Sequence, residues 1–373
     1  MPSRARVLAF TIVALALRLA IYRMMAIPFG GLSTSMCQYD CYWYVRIATD
    51  GYGSNTGWAA YGSTLNWAFF PLYPLLLRAS VWVVGMGPLF VGLLLSNAIF
   101  VGLVLMCDAY LRRTRTVHDP LLWVAFVMVF PFGFTFSAIY SEGLFALLSV
   151  AVLLALTAGR PMAAGALTAL LCATRPTGVL MLPLIIADRI GHLYRGRGRA
   201  DRMALLGETL LPIAVAPLGL ALYMAFQYAL TGDALAFNHV QIAWDRVWHG
   251  PWAVLAGGVM AWDWGLVLQP QGSPSHSYQA AWALLGLVAA GWMAWQRRFA
   301  EAWLCAASIL LPASTALHSL PRFVATNPFV LFVLFDLLQR IRQRVALSAV
   351  TGLAGLVHGA VLIAWFIAAN TLY

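Results

Sequence analysis

Long apolar runs separated by short arginine-containing gaps dominate the sequence and restrict the chain to a small set of folds. By residue number the runs are 7–27, 88–111, 120–139, 143–159, 162–174, 177–190, 204–229, 278–295, 301–317, 323–338 and 346–369. A helix needs about 20 apolar residues to cross the hydrocarbon core of a bilayer. Only 10% of the residues are charged, against about a quarter in soluble domains. Because lipid leaves backbone groups to be paired within each segment, we expect an all-α polytopic membrane protein with about eleven transmembrane helices in a single domain, residues 1–373.

The arginines in the gaps predict how the chain is oriented. All 23 basic residues are arginine and the net charge is +10. Most of them fall on one side when the crossings alternate from a cytoplasmic N-terminus, and positively charged loops remain in the cytoplasm. This predicts a bacterial inner-membrane protein with two long loops, about 28–87 and 230–277, on the periplasmic face. Nucleic acid is not expected as a partner, since the arginines form no basic face interleaved with aromatic residues.

Two further apolar stretches, 68–85 and 251–269, are expected to lie at the membrane surface without crossing it. Counting the first as a crossing would move the arginines of 112–115 to the outer side, against the charge rule. The second stretch carries Asp263 and three tryptophans. We therefore expect interfacial helices in the outer loops, above all in the first.

Within the first outer loop, one short segment has the pattern of an amphipathic helix. Asp40, Tyr44 and Ile47 have helical spacing, and Gly51 is suited to end the helix. Asp40 would lie at its N-terminal end, where the helix dipole favours an acid. A role as helix cap alone is the alternative for Asp40.

Five cysteines are present, and two of them, Cys37 and Cys41, bracket Asp40. They could pair in an oxidising compartment, but one short loop is no disulfide framework, so unpaired cysteines are the favoured expectation. Cys107, Cys172 and Cys305 fall in apolar runs, where a free cysteine behaves as a small hydrophobic residue.

Ionisable side chains are sparse on the predicted outer side, and at membrane depth such groups are costly and usually functional. The acids there are Asp40, Asp50, Glu142, Asp233, Asp245 and Asp263, and the bases are Arg46, Arg78, Arg175, Arg246 and Arg322, with Arg18 and Arg23 in the first helix. Pro176 disfavours helical geometry at Arg175, so the chain is expected to turn there. Clustering in loops on one face favours an enzyme over a lipid-linked sugar flippase, a transporter or a scaffold.

Six stretches make the sequence recognisable. They are DCYWYVRIATDGY (40–52), AFFPLYP (68–74), YSEGLF (140–145), RPTG (175–178), TGDALAF (231–237) with Gln241 and Trp244, and PRF (321–323). In this order they resemble the PIG-V-like mannosyltransferases, relatives of the second mannosyltransferase of GPI-anchor assembly in the GT-C superfamily of membrane glycosyltransferases. The sequence departs from that family at Cys41-Tyr42 and at Gly143, which concerns the acceptor and the sugar.

The resemblance implies a GT-C fold and an inverting hexosyltransferase. Such an enzyme moves a sugar, mannose in this family, from a polyprenyl-phosphate donor to an acceptor hydroxyl on the non-cytoplasmic face; the acceptor could be a glycolipid, a glycan or a protein. Inversion needs one carboxylate base, for which Asp40 is the candidate. Donor-phosphate binding is expected from Arg175, Arg322 and Arg18, because arginine holds phosphate through fixed, often bidentate hydrogen bonds.

The remaining candidates would contact substrate. They are Tyr44, Glu142, Asp233, His239, Gln241 and Trp244. Capping of a helix end is the alternative for Glu142, and a turn or a helix start is the alternative for Asp233. Packing within the loop is the alternative for Gln241 and Trp244. The sequence contains no Asp-x-Asp, His-x-x-x-His or Cys-x-x-Cys pattern, and arginine can neutralise a monophosphate leaving group. We therefore expect no cofactor and metal-independent transfer.

Overall fold

The computed structural model describes residues 2–53, 62–115, 119–195, 202–264, 274–341 and 345–368, and all regular structure in them is helical. The prediction of an all-α fold is confirmed. The α-helices of these residues are α1 (Arg4–Ala26), α2 (Leu32–Ser35), α3 (Asp40–Asp50), α4 (Leu72–Val84), α5 (Pro88–Thr114), α6 (Pro120–Val129), α7 (Glu142–Thr157), α8 (Pro161–Cys172), α9 (Leu182–Arg195), α10 (Arg202–Val215), α11 (Leu218–Thr231), α12 (Ala236–His239), α13 (Pro251–Met260), α14 (His276–Trp295), α15 (Phe299–Ala313), α16 (Leu320–Ala325), α17 (Pro328–Ile341) and α18 (Val345–Ala368). Short 3₁₀ helices lie at Ile27–Phe29, Gly62–Ala68, Gly133–Phe136, Pro176–Met181 and Val240–Trp244.

Two helical segments of the described residues are long and apolar enough to cross a membrane, Arg4–Phe29 and Pro88–Thr114. A third would be the pair Gly207–Val215 and Leu218–Thr231, which is bent by 44°. Pro217 precedes the second helix of that pair, and proline removes a backbone donor and breaks helical geometry. These segments support the expectation of a membrane protein. Most of the other predicted crossings contain shorter helices, so the number eleven stays a prediction.

Small residues let α8 approach its neighbours closely. A Cβ atom added at Gly219 of α11 would lie 1.9 Å from the backbone oxygen of Ala169 in α8. At Gly178 it would lie 2.6 Å from the backbone nitrogen of Cys172. Only glycine permits such backbone contact. The end of α8, just before Arg175, is thereby fixed against both α11 and the following 3₁₀ helix.

Two local predictions from the sequence are confirmed, and the turn given as an alternative for Asp233 is observed. Helix α3 begins at Asp40 and ends before Gly51, whose φ of 86° only glycine adopts without strain. Arg175 is extended, with φ −156° and ψ 149°, so the chain turns before Pro176 as expected. Gly232 ends α11 with a φ of 73°, and Asp233 follows in a turn.

The two stretches expected at the membrane surface form the 13-residue helix α4 and the 10-residue helix α13. Both are shorter than the about 20 residues of a crossing. They expose large apolar side chains, including Trp82 of α4 and Trp252 of α13. Parts of both outer loops (54–61 and 265–273) and of the basic gaps (196–201 and 342–344) lie outside the described residues.

The expectation of unpaired cysteines in the first loop is wrong. Cys37 and Cys41 form a disulfide with a Cα–Cα distance of 5.0 Å, inside the range of about 4.4–6.8 Å that the bond requires. The turn between them, which the spacing alone did not reveal, brings the two residues together. Cys107, Cys172 and Cys305 are free and buried, as expected.

Candidate active site

A cavity of about 1010 Å³ opens beside the N-terminal end of α3. Its charged and titratable lining residues include Asp40, Glu142, Arg175, Arg246, His318 and Arg322. Aromatic rings of the first loop and aliphatic side chains of α8, α15 and the 176–181 segment form much of the remaining wall. The combination of a charged centre and apolar walls suits a ligand that is polar at one end and apolar at the other.

Four of these residues form a chain of ion pairs that we name the cavity cluster: Asp40, Glu142, Arg175 and Arg322. Arg322 donates from Nη2 to Oδ2 of Asp40 at 2.6 Å, and its Nε lies 3.0 Å from Oε1 of Glu142. Nη2 of Arg175 lies 2.7 Å from the same Oε1. Helices α3, α7 and α16 and the break after α8 each contribute one member.

Aromatic rings and hydroxyls hold the two guanidinium groups in place. The guanidinium carbon of Arg322 lies 4.8 Å from the ring centre of Tyr140, and that of Arg175 lies 4.9 Å from the ring centre of Phe323. Arg175 also donates from Nε to the Ser141 hydroxyl at 3.1 Å, and that hydroxyl lies 2.7 Å from the Tyr44 hydroxyl. Cation–π contacts and hydrogen bonds restrict both guanidinium groups to one orientation.

The charges of the cluster keep Asp40 ionised. Burial by itself would raise the pKa of Asp40, but Arg322, with smaller contributions from Arg175 and Arg246, holds that pKa below its ordinary value. Burial also opposes the charge of Arg322, yet Asp40 and Glu142 raise its pKa. Burial raises the pKa of Tyr44 to about 12, so its hydroxyl stays protonated. The centre therefore presents a carboxylate beside cations at neutral pH.

Two carboxylate oxygens of the cluster remain available to a ligand. Oε2 of Glu142 has no hydrogen-bond partner among the described residues, although its side chain is only 1% exposed. Oδ1 of Asp40 likewise has none among them, because Arg322 engages Oδ2. A buried carboxylate oxygen is costly to leave unpaired, so Oε2 of Glu142 is suited to accept a hydrogen bond from a bound hydroxyl. The Asp40 side chain is 30% exposed, so its Oδ1 is accessible to such a hydroxyl.

Arg246 is a third cation at the cavity. It donates from Nε to Nε2 of His318 at 3.1 Å and pairs with no carboxylate among the described residues. His318 must be neutral to accept this bond, and burial lowers its pKa to about 4. Burial also lowers the pKa of Arg246, although Asp40 opposes that effect. Among the described residues that line the cavity, two carboxylates and three arginines leave one uncompensated positive charge.

The sequence placed Arg246 among the outer bases but not among the binding residues. Its position two residues after Trp244, in a segment with other candidates, was the signal that could have identified it. Trp43 was also missed. Its ring stacks on Phe69 with centres 5.7 Å apart, and Trp244 meets it edge-on at 6.2 Å.

The predicted site residues divide into two groups. Asp40, Tyr44, Glu142, Arg175, Gln241, Trp244 and Arg322 all line the cavity. Arg18 does not line it; this buried side chain donates to the Ser137 hydroxyl at 2.7 Å and lies 4.5 Å from the ring centre of Phe100. Asp233 and His239 also lie outside the lining and pair with each other at 2.7 Å. We therefore leave these three out of the proposed site.

Metal binding is not indicated by any cluster in the described part of the chain. No group of three or more His, Cys, Asp or Glu side chains there is arranged to hold a metal ion. The two cavity carboxylates that come closest to such a group are occupied by arginine. Metal-independent transfer stays a prediction.

Comparison with known proteins gives only distant likenesses. No family model matches the chain, and no curated protein matches it. Among solved structures, the oligosaccharyltransferase of Archaeoglobus fulgidus in its apo form is 14% identical with a TM-score of 0.46, covering 96% of this chain and 56% of its own. Its complex with an inhibitory peptide and a dolichol-phosphate is 15% identical with a TM-score of 0.43, covering 95% of this chain and 56% of its own. The chain thus spans about half the length of these proteins, and at these TM-scores the likeness carries no argument.

Proposed function

We propose that the protein is an inverting membrane glycosyltransferase of the GT-C type. It would transfer a sugar from a polyprenyl-phosphate donor to an acceptor hydroxyl, on the periplasmic face of the inner membrane as the arginine distribution suggests. The proposal is carried by one observation: an ionised carboxylate, Asp40, has a free oxygen at a cavity that also holds the uncompensated cation Arg246. Mannose as the sugar rests on the resemblance in the sequence alone.

The charge balance of the cavity supports a monophosphate donor. A sugar linked to a polyprenyl chain through one phosphate is a diester with a single negative charge, which equals the single uncompensated positive charge. A diphosphate would bring a second negative charge, which commonly requires a metal ion. Arginine can meet phosphate oxygens with two parallel hydrogen bonds.

The apolar wall supports a lipid chain on that donor. Leu180, Met181 and Leu304 line the cavity together with Leu311, which is 46% exposed. An apolar wall beside the charged centre suits a prenyl chain attached to a bound phosphate.

Transfer would proceed as one displacement. Oδ1 of Asp40 takes the proton from the acceptor hydroxyl while that oxygen forms a bond to the anomeric carbon. The bond between this carbon and the phosphate oxygen breaks on the opposite side of the sugar, and its electron pair stays on the leaving polyprenyl phosphate. Arg246, with Arg175 and Arg322 nearby, would stabilise the added negative charge, and Oε2 of Glu142 would accept a hydrogen bond from a sugar hydroxyl.

The test is a transfer assay with the purified protein in nanodiscs. Labelled polyprenyl-phosphate mannose is supplied with glycolipid, glycan and peptide acceptors, and labelled product and released polyprenyl phosphate are both measured. Asp40→Asn should lower the rate by about 10²–10⁴-fold, as for loss of a general base. Full activity in a folded Asp40→Asn protein would show that Asp40 is not the base.

Two further readouts bear on the alternatives. A lipid-linked sugar flippase would move the intact donor between leaflets and release no polyprenyl phosphate. Metal independence is tested by chelation with EDTA, which should leave transfer by the purified protein unchanged; complete loss of transfer would contradict it.

A further inference from the structure

The segment that precedes the proposed base is a tight turn with an unusual residue in it. The backbone nitrogen of Cys41 donates to the oxygen of Gln38 at 3.1 Å, which closes a β-turn. Tyr39, the first central residue, has φ 46° and ψ −110°. These angles belong to the type II′ turn, whose first central position strongly favours glycine. A tyrosine there is strained and stays in place only when surrounding contacts enforce it.

The Cys37–Cys41 disulfide spans this turn. Its two cysteines flank Gln38, Tyr39 and Asp40, and they are 2% and 0% exposed. Because the ring that it closes is so short, the crosslink restricts the backbone angles of the residues inside it. Asp40 is the last of these residues and the first residue of α3, so the direction of its side chain depends on the turn.

Two hydrogen bonds and one cation–π contact connect the turn with the cavity cluster. The Tyr140 hydroxyl donates to the backbone oxygen of Gln38 at 3.0 Å, and the ring of the same tyrosine faces Arg322 at 4.8 Å. Arg322 in turn donates to Asp40 at 2.6 Å. These contacts form a ring that begins and ends at the turn: Tyr140 and Arg322 connect Gln38 to Asp40. A displaced turn would therefore move Asp40 relative to Arg322.

We propose that the Cys37–Cys41 disulfide is a positioning element that holds Tyr39 in its strained conformation and thereby fixes Asp40 against Arg322. This inference rests on the proposed role of Asp40 as base. Without the crosslink, Tyr39 relaxes to a negative φ and Asp40 turns away from Arg322. The enzyme is then fully active only where this disulfide can form, which is an oxidising compartment.

A double-mutant cycle in the full-length protein in nanodiscs tests this inference, with Cys37→Ser/Cys41→Ser and Tyr39→Gly as its two arms. With Tyr39 present, removal of the disulfide should lower kcat at least tenfold and change the donor KM less than about twofold, because neither sulfur takes part in binding. In the Tyr39→Gly background the same removal should cost less than about threefold, because glycine adopts the turn without help. One of the three buried free cysteines provides a control, Cys107→Ser, which should leave kcat unchanged.

The pH dependence supplies a readout that general destabilisation would not change. In Cys37→Ser/Cys41→Ser, Asp40 moves away from Arg322, which should move the acid limb of the rate profile to higher pH. Arg175 and Arg246 still act on the carboxyl group. The proposal would be overturned if removal of the disulfide lowered kcat equally in the Tyr39 and Tyr39→Gly backgrounds, or did not lower kcat with Tyr39 present.

Two controls complete the design. If Cys37→Ser/Cys41→Ser does not fold, its thermal unfolding is compared with that of the triple variant, which also carries Tyr39→Gly. The proposal expects the triple variant to fold, and failure of both variants to fold would overturn it. Asp40→Asn in the same assay separates the two hypotheses. Activity in Asp40→Asn contradicts the proposed function, whereas an inactive Asp40→Asn with no effect of the disulfide contradicts only this inference.

Discussion

Two buried groups of charges have the same composition but different surroundings. The cavity cluster has two arginines and two acids, and so does a second group, Arg115, Arg298, Glu301 and Asp336, which we name the core cluster. In the core cluster, Arg115 lies 3.3 Å from Glu301 and 3.6 Å from Asp336, and Arg298 contacts both acids. Tyr110 also donates to Glu301 at 2.7 Å.

The difference lies in what else each cluster touches. The core cluster is absent from the lining of the cavity, and its central acid is met by two arginines and a tyrosine. The cavity cluster faces open volume, leaves Oε2 of Glu142 unpaired and has Arg246 nearby. Buried ion pairs alone are therefore weak evidence for a site. Available volume, an unpaired oxygen and an unbalanced charge are what distinguish the candidate site.

The largest effect expected in this comparison comes from Arg246. Arg246→Gln should lower transfer by about 10²–10³-fold, as for the loss of one preorganised donor to developing charge. The matched control is Arg113→Gln, an arginine that bonds to the backbone oxygen of Thr157 away from the cavity. Transfer rates of both purified variants measure the effect. An equal loss in the two variants would mean that Arg246 has no special role.

Matched changes in the two clusters should separate activity from stability. Glu142→Gln should lower transfer by about 10–100-fold, the value of a charge-assisted hydrogen bond. Glu301→Gln should leave the rate per folded molecule unchanged but lower the Tm by several degrees, because it leaves Arg115 and Arg298 with one acid. Transfer and thermal unfolding are measured on both. A slowed Glu301→Gln enzyme of unchanged stability would remove the distinction between the clusters.

The pH dependence should report the ion pair at Asp40. Because Arg322 lowers the pKa of Asp40, the carboxylate stays charged as the pH falls, and the rate should remain constant down to the ordinary range of an aspartate, about 3.9. Arg322→Gln removes that effect while burial still raises the pKa, so the acid limb should move to higher pH. Rate profiles of both proteins measure the shift. A shift to lower pH, or no shift, would contradict the assignment.

The smallest effect is expected outside the cavity. His239 was a candidate for substrate binding in the sequence, yet it pairs with Asp233 on the surface, with 62% of its side chain exposed. His239→Ala should change the transfer rate less than about threefold. A loss comparable to that of Gln241→Ala, which changes a cavity residue, would return His239 to the site.

Local sequence signals predicted local structure well. Gly51 and Pro176 marked the end of α3 and the break at Arg175, since each acts on the backbone of its immediate neighbours. The pairing of Asp40 with Arg322 joins residues 282 positions apart, and no local pattern shows it. The sequence therefore supplied most members of the site, with Arg246 and Trp43 missed, but not the partner of each member.

Three other features of the folded molecule had no local sequence signal of this kind. Arg246 differs from Arg175 and Arg322 in forming no ion pair with a carboxylate among the described residues, which is a property of the folded molecule. Arg18 is a cation at a depth in the membrane that suited phosphate binding, but its contacts with Ser137 and Phe100 depend on how α1 packs. The disulfide required knowledge of the turn at Tyr39, a conformation that tyrosine rarely adopts.

Gly219 has a consequence for the whole cavity. It lies where α8 and α11 meet backbone to backbone; α8 leads to Arg175, and α11 leads to the segment that carries Trp244 and Arg246. A methyl group at this position would act as a wedge between the two helices. The spacing of the two helices that lead to Arg175 and to Arg246 is thus set by the absence of a single side chain, at a residue that does not itself line the cavity.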